Sequence, residues 1–364
     1  MSKSGKGDED PAGRSPLLIA AGFSLFASFL IRFFWEVPYS LIGTYPGDIY
    51  YVYTQHIVRQ SPYPLEYPVG IYLLVGLTSR LAGTSYDSFL FANSLILAVL
   101  GISSTVLLRS LASSVDLPKS RLFLMWILSP SFIFYGLYNF DLFSTFFSVL
   151  AIHTLVSGRR GLSTIALALG TSVKIFPVLL LPLVLSGQSG TRMAQFISMF
   201  AGVWAAVNLP SMIFDFASWE YPYVWNALRP PNIDSVWYPV FELIGQWASI
   251  LSVSLFLVLN VVVFSHYKMA AVTRANATRT AALPFSIFML TNKIYSPQYH
   301  LMLLPFLPFT KVGFRLFYLF DIPNLLIVLI WHSPFSIIAM PFLVSIRHFA
   351  LVAVFYRSLS SYPR

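Results

Sequence analysis

Long apolar runs recur from one end of this 364-residue chain to the other, and they leave too little polar surface to clothe a water-soluble globule. They fall at 16–35, 88–108, 122–137, 141–156, 162–173, 177–185, 194–216, 237–264, 281–290, 301–309, 314–331 and 334–355. A helix needs about 20 apolar residues to cross the hydrocarbon core of a bilayer, and fewer where it is short or buried among neighbours. The pattern therefore predicts an all-α, polytopic integral membrane protein with roughly 11–13 membrane helices. Composition points the same way, because a chain that is 57% hydrophobic and 10% charged does not fold as a soluble globule.

One further run, 67–81, is ambiguous. Counted as a crossing, it would send Arg109, Lys119 and Arg121 to the same side as the polar loop before it, so it reads as an interfacial helix. The positive-inside rule then gathers Lys3, Lys6, Arg14, Arg159, Arg160, Arg192, Lys268, Arg279, Lys311, Arg347 and Arg357 on a cytoplasmic face. Asp48, Glu66, Asp87, Asp215, Glu220 and Asp234 fall on the opposite face. The expected organisation is a cytoplasmic tail at 1–15, one transmembrane domain at 16–356 and a second cytoplasmic tail at 357–364. Within that domain, 37–87 forms the first outer loop and 217–236 an aromatic outer loop. The net charge of +9 follows from this topology and from attraction to anionic inner-leaflet lipid, so membrane lipids are expected partners and nucleic acid is not. Cysteine is absent, which leaves no disulfide or thiolate metal chemistry. The apolar run after the polar first 14 residues lacks a small-residue cleavage site and reads as a retained helix.

The first outer loop carries a lone Asp48 after Pro46-Gly47, beside many tyrosines. An Asp after Pro-Gly is an ordinary turn residue on its own, since its side chain bonds nearby backbone. Two later segments share a pattern: Lys174-Ile175-Phe176-Pro177, and Lys293-Ile294-Tyr295-Ser296-Pro297-Gln298-Tyr299-His300. Proline removes a backbone donor and breaks a helix, so each segment predicts a helix break whose exposed backbone lines a polar cavity or is covered by protein. Broken helices bearing lysines suggest an anion site, although lysines near helix ends also snorkel to lipid headgroups. Lys174 lies between two apolar runs too short to span comfortably, where an unpaired ammonium is costly.

Taken in order, Gly47-Asp48-Ile49-Tyr50-Tyr51, Ser61-Pro62-Tyr63, Glu66-Tyr67-Pro68, Asn139-Phe140-Asp141-Leu142, Lys174-Ile175-Phe176-Pro177 and Ser296-Pro297-Gln298-Tyr299 cover most of the chain. This ordered set resembles the GT-C-fold mannosyltransferases that use polyprenyl-phosphate mannose, and is similar to the first mannosyltransferase of GPI-anchor assembly. The resemblance implies a GT-C-like fold and transfer of a hexose, mannose first, from a polyprenyl or dolichyl phosphate to a hydroxyl of a lipid-linked or surface glycan. It implies inversion at the anomeric carbon and an active site on the outer face, or the luminal face in an endoplasmic reticulum. Family members need an acidic residue in the first outer loop, and Asp48 is the matching position here. GPI-type members carry an Asp-x-Asp pair where this chain has one Asp, which implies a reaction without metal or other cofactor.

That chemistry needs a carboxylate within reach of the acceptor hydroxyl and cations for the departing phosphate. Asp48 is the expected base, and Lys174, Lys293, Arg59 and His300 are the expected phosphate contacts. Asp141, Gln298, Tyr299 and Asp234 complete the expected substrate-binding set; Asp141 also suits a helix N-terminus without further role. The aromatic loop, with Trp219, Tyr221, Tyr223, Trp225, Trp237 and Tyr238, suits sugar stacking or an interfacial belt. A secondary transporter or lipid flippase is the alternative class, kept open by Asp321 inside the run 314–331; a catalytically silent scaffold is a third.

Overall fold

The computed structural model describes residues 15–36, 47–60, 64–83, 85–266, 274–331 and 333–360. Helix accounts for 82% of the structure, and no strand occurs among the described residues. Among the described residues, five helices are long and apolar enough to cross a bilayer: α1 (Ser15–Glu36), α4 (Tyr86–Ser113), α10 (Gly190–Phe214), α13 (Trp247–His266) and α18 (Ser336–Leu359). Their outer faces are apolar; α13 exposes Ile250, Val253, Leu257 and Val261, and α18 exposes Ile337, Ile338, Phe342 and Phe349. A continuous exposed apolar belt of this kind is unfavourable in water and favourable in lipid, so the chain is a membrane-embedded, all-α protein.

Between these long helices lie shorter ones. In chain order they are α2 (Asp48–Val52), α3 (Val69–Ala82), α5 (Lys119–Leu122), α6 (Pro130–Tyr135), α7 (Asp141–Val156), α8 (Arg160–Val173), α9 (Leu181–Leu185), α11 (Phe216–Leu228) and α12 (Trp237–Ile244), then α14 (Arg274–Thr280), α15 (Ala282–Thr291), α16 (His300–Leu303) and α17 (Phe314–Ile330). The run 67–81 becomes α3, which starts only after Pro68 and at 14 residues rises about 21 Å, short of the roughly 30 Å of a bilayer core.

Several apolar runs expected as single helices are broken, each at a residue that explains the break. Run 122–137 passes through a π-helical turn at Phe123–Ile127 and restarts at Ser129-Pro130, where the Ser129 hydroxyl accepts from the Phe132 amide and Pro130 occupies the first helical turn. Run 237–264 divides at Gly245, whose φ of 56° is open to glycine and strained for other residues. The two Lys-aromatic-Pro segments form 3₁₀ turns at Phe176–Leu180 and Pro297–Tyr299. Residues 61–63, including Ser61-Pro62-Tyr63, lie outside the described residues, as do the first 14 and the last four.

The core is aromatic and close-packed around Trp126, Phe132, Tyr135, Phe285 and Phe306; the Trp126 indole donates to Thr105 Oγ1 at 2.9 Å. Gly170 lets α7, α8 and the following 3₁₀ turn meet, because a Cβ there would sit 2.7 Å from Phe147 Cβ and 2.9 Å from Pro177 Cγ. Basic residues knit one end of the bundle: Arg121 donates to the carbonyls of Pro308, Thr310 and Val312 at 2.6–2.9 Å, and Arg160 donates to Val184. Arg347 corrects the expected charge distribution. Placed with the cytoplasmic bases by the sequence, it is fully buried at mid-length in α18 and paired with Asp234 from the opposite group, 3.0 Å away. A buried guanidinium is retained only with a partner, and that partner draws it out of the basic face.

Candidate active site

At the other end of the bundle the chain breaks collect. The Gly47 carbonyl starts α2, Lys174 ends α8 in extended conformation, and the 3₁₀ turn at 297–299 follows α15. Together with α11 and residues 229–232 they enclose a cavity of about 650 Å³. Because helix ends leave backbone and polar side chains unpaired by the helix itself, a polar cavity forms where several ends meet.

The inner wall is a charged and aromatic constellation. The Tyr67 hydroxyl donates to Asp48 Oδ2, and its ring packs edge-on against Phe140 at 5.4 Å between centroids. Beside it the Lys174 ammonium is ion-paired with the fully buried Asp141. Asn139 orients that carboxylate by donating its amide nitrogen to Asp141 Oδ2 at 3.1 Å, while the Asp141 amide donates back to Asn139 Oδ1 at 3.0 Å. The rings of Tyr299, Phe176 and Tyr67 stand 4.9, 5.5 and 5.7 Å from the ammonium, so the cation is held by a carboxylate and a cage of π faces.

Burial raises the Asp48 carboxyl above its ordinary range; the Tyr67 hydrogen bond and the Lys174 charge oppose that rise, and the Asp141 charge adds to it. The Tyr67 hydroxyl is pushed well upward by burial and by Asp48, so it stays protonated and serves as a donor. Glu66 lines the cavity too, raised by burial and drawn back by Arg229. Arg229 reaches the same wall, and its buried Nε has no hydrogen-bond partner. Tyr51, His56, Tyr223, Asn226, Asn232, Asn292 and Ser296 supply further polar atoms.

Of the residues expected from sequence, the cavity brings together Asp48, Lys174, Gln298 and Tyr299, with Asp141 directly behind Lys174. It does not include the others. Arg59 is exposed at the end of the π-helical turn Tyr53–Val58. The Lys293 ammonium turns to the Ala227 carbonyl and Ser249 hydroxyl at 2.7 and 2.8 Å. His300 is fully buried on the far side of its segment, between the Tyr295 hydroxyl at 2.8 Å and Asp321 at 3.4 Å. Asp234 is committed to Arg347. Asp321 itself accepts from the Ser129 hydroxyl at 2.7 Å and the Ser131 amide at 3.3 Å, which accounts for a carboxylate inside an apolar helix.

Among the cavity residues that sequence reading did not single out, Glu66, Tyr67 and Arg229 stand at the charged wall. Tyr67 and Glu66 stand within the Glu66-Tyr67-Pro68 motif, and Arg229 is a rare base among outer-face acids just before Pro230-Pro231. Among the described residues no three His, Cys, Asp or Glu side chains converge as a metal site requires. No protein-family model matches the chain, and no curated relative matches it either.

Proposed function

We propose that this protein is a multi-pass membrane glycosyltransferase of GT-C type that moves a hexose, mannose first, from a polyprenyl phosphate to a glycan or glycolipid hydroxyl. The observation that carries the reading is the pairing, in one cavity at one end of a lipid-embedded bundle, of a half-buried carboxylate with a guanidinium that lacks a partner at Nε. A base and an anion holder are the two groups that such a displacement requires.

In this reading the acceptor oxygen attacks the anomeric carbon as the bond from that carbon to the phosphate oxygen breaks. The acceptor proton passes to the Asp48 carboxylate, whose Oδ2 already accepts from Tyr67. The electron pair leaves with the phosphate, and Arg229 meets the charge. Lys174 is held in an ion pair with Asp141, so it is not a free phosphate ligand; its charge favours the ionised Asp48 and the Asp141 charge opposes that. A single displacement inverts the anomeric configuration. The same reading assigns the cavity to the outer or luminal side, where a lipid-linked sugar is presented.

A transporter remains the second reading, favoured by the buried Asp321, His300, Asp234 and Arg347. Release of polyprenyl phosphate from radiolabelled polyprenyl-phosphate mannose, with glycolipid extract as acceptor, separates the two. Transfer by the parent that falls by about 10²–10⁴ in Asp48→Asn, with donor binding retained, supports the enzyme. Absence of transfer with several sugar donors, together with solute or lipid movement in vesicles, overturns it.

A further inference from the structure

Two walls of the cavity come from chain segments about 60 residues apart in sequence, the loop through Asn232 and the segment from Asn292 to Tyr299. They touch directly: the Asn232 amide donates to the Lys293 carbonyl at 3.3 Å, and its side-chain nitrogen donates to Ser296 Oγ at 3.1 Å. Behind both walls, fully buried between α17 and α18, lies a polar pair that neither wall contains. Asn324 of α17 donates to the Pro297 carbonyl at 2.8 Å and to Ser131 Oγ at 3.2 Å. Arg347 of α18 donates to Asn324 Oδ1 at 3.1 Å, to Asp234 Oδ2 at 3.0 Å and to the Asp234 carbonyl. Its guanidinium also covers the Tyr295 ring at 3.9 Å.

We infer that Asn324 and Arg347 are positioning residues, a joined clamp that holds Pro297 with one arm and Asp234 with the other and so sets the width of the cavity between Asn232 and Gln298. Neither lines the cavity; Asn324 acts through the Pro297 carbonyl beside Gln298, and Arg347 through the carboxylate and carbonyl of Asp234, two residues from Asn232. The arrangement is costly unless it positions something, because removing an arginine from water among helices is repaid only by well-placed partners. The planar fork of arginine suits this task, since one side chain reaches a side chain and a main-chain carbonyl of the same residue while bonding Asn324. A wall displaced by about 1 Å lowers catalytic efficiency by up to about a hundredfold, so such a clamp is a determinant of substrate fit.

Asn324→Leu removes both arms' junction while keeping the side chain's branch and heavy-atom count, and it leaves the Arg347–Asp234 pair intact, so it strands no charge. The expected result is a donor KM raised at least about tenfold in the folded fraction; the thermal unfolding midpoint falls as well, because the buried Pro297 carbonyl and Ser131 hydroxyl lose a partner. A purely structural residue would lower the active fraction and leave KM in place. Should Asn324→Leu fail to fold, Arg347→Lys keeps the charge and loses the fork, and the same KM rise is expected.

A second arm reads the geometry without any turnover. The chain has no cysteine, so Asn232→Cys with Ser296→Cys gives a unique thiol pair, and dibromobimane becomes fluorescent when it bridges the two. Slower bridging after adding Asn324→Leu, beside the KM rise, upholds the clamp; an unchanged KM or an unchanged bridging rate overturns it. The inference leans on the transfer reading only for its kinetic arm. If the parent transfers no sugar, that reading falls, and the bridging rate alone decides the clamp.

Discussion

Replacing Tyr67 by Phe removes one oxygen from the site and little else, because the edge-on packing against Phe140 needs only the ring. The lost hydrogen bond runs to a carboxylate in a buried setting, and bonds to charged groups contribute about 1.5–3 kcal/mol. That bond favours the ionised carboxylate, so its loss acts on the Asp48 titration. The sign follows from the electrostatics: burial already raises the Asp48 pKa, the Tyr67 bond lowers it, so removing Tyr67's hydroxyl raises it further. A base works only when deprotonated, so activity is lost as pH falls through the folded pKa. The acid limb of kcat/KM should therefore move toward higher pH in Tyr67→Phe, with the rate recovering on the alkaline side. The assay is a pH series of the proposed sugar transfer at low donor concentration, parent beside variant. An acid limb that stays in place while the rate falls equally at every pH would refute both the role of Tyr67 and the assignment of Asp48 as base.

Lys174→Met should cost about 3–5 kcal/mol in denaturant unfolding, because it strands the buried Asp141, and much of the loss should return in the double variant with Asp141→Asn. Arg229→Gln should raise the donor KM about 10- to 100-fold, equivalent to about 1.5–3 kcal/mol of charge-assisted bonding, and should move the Glu66 pKa upward, read by the carboxyl band in infrared titration. Gly170→Ala should lower stability by about 1–3 kcal/mol, since its methyl group would enter the space of Phe147 and Pro177, and a thermal melt checks it.

The helices were readable in the sequence wherever a physical periodicity or an end signal was strong. Runs 16–35, 88–108 and 141–156 correspond closely to α1, α4 and α7, because apolar length and composition alone decide where a helix is stable in lipid. The prolines at 177 and 297 marked the breaks, since a missing amide donor is a local property. Local signals were weaker where a single residue divided a long run, as at Ser129 and Gly245.

Composition and order along the chain thus determined that this is an all-α protein of the membrane, with Asp48, Lys174, Gln298 and Tyr299 among the residues at its helix breaks. Tertiary structure alone decided which charges are free to act. Lys174 and Arg229 look equally available in sequence, yet one is matched to Asp141, 33 positions earlier, while the other has a buried Nε without a partner. Arg347 carries the same charge as the bases of the opposite end, yet its pairing with Asp234, 113 positions away, buries it behind the cavity wall. Hydropathy and proline act through a residue's immediate neighbours and so are written locally. Ion pairing in a low-dielectric interior depends on separations of a few ångströms between distant segments, and only the folded chain sets those.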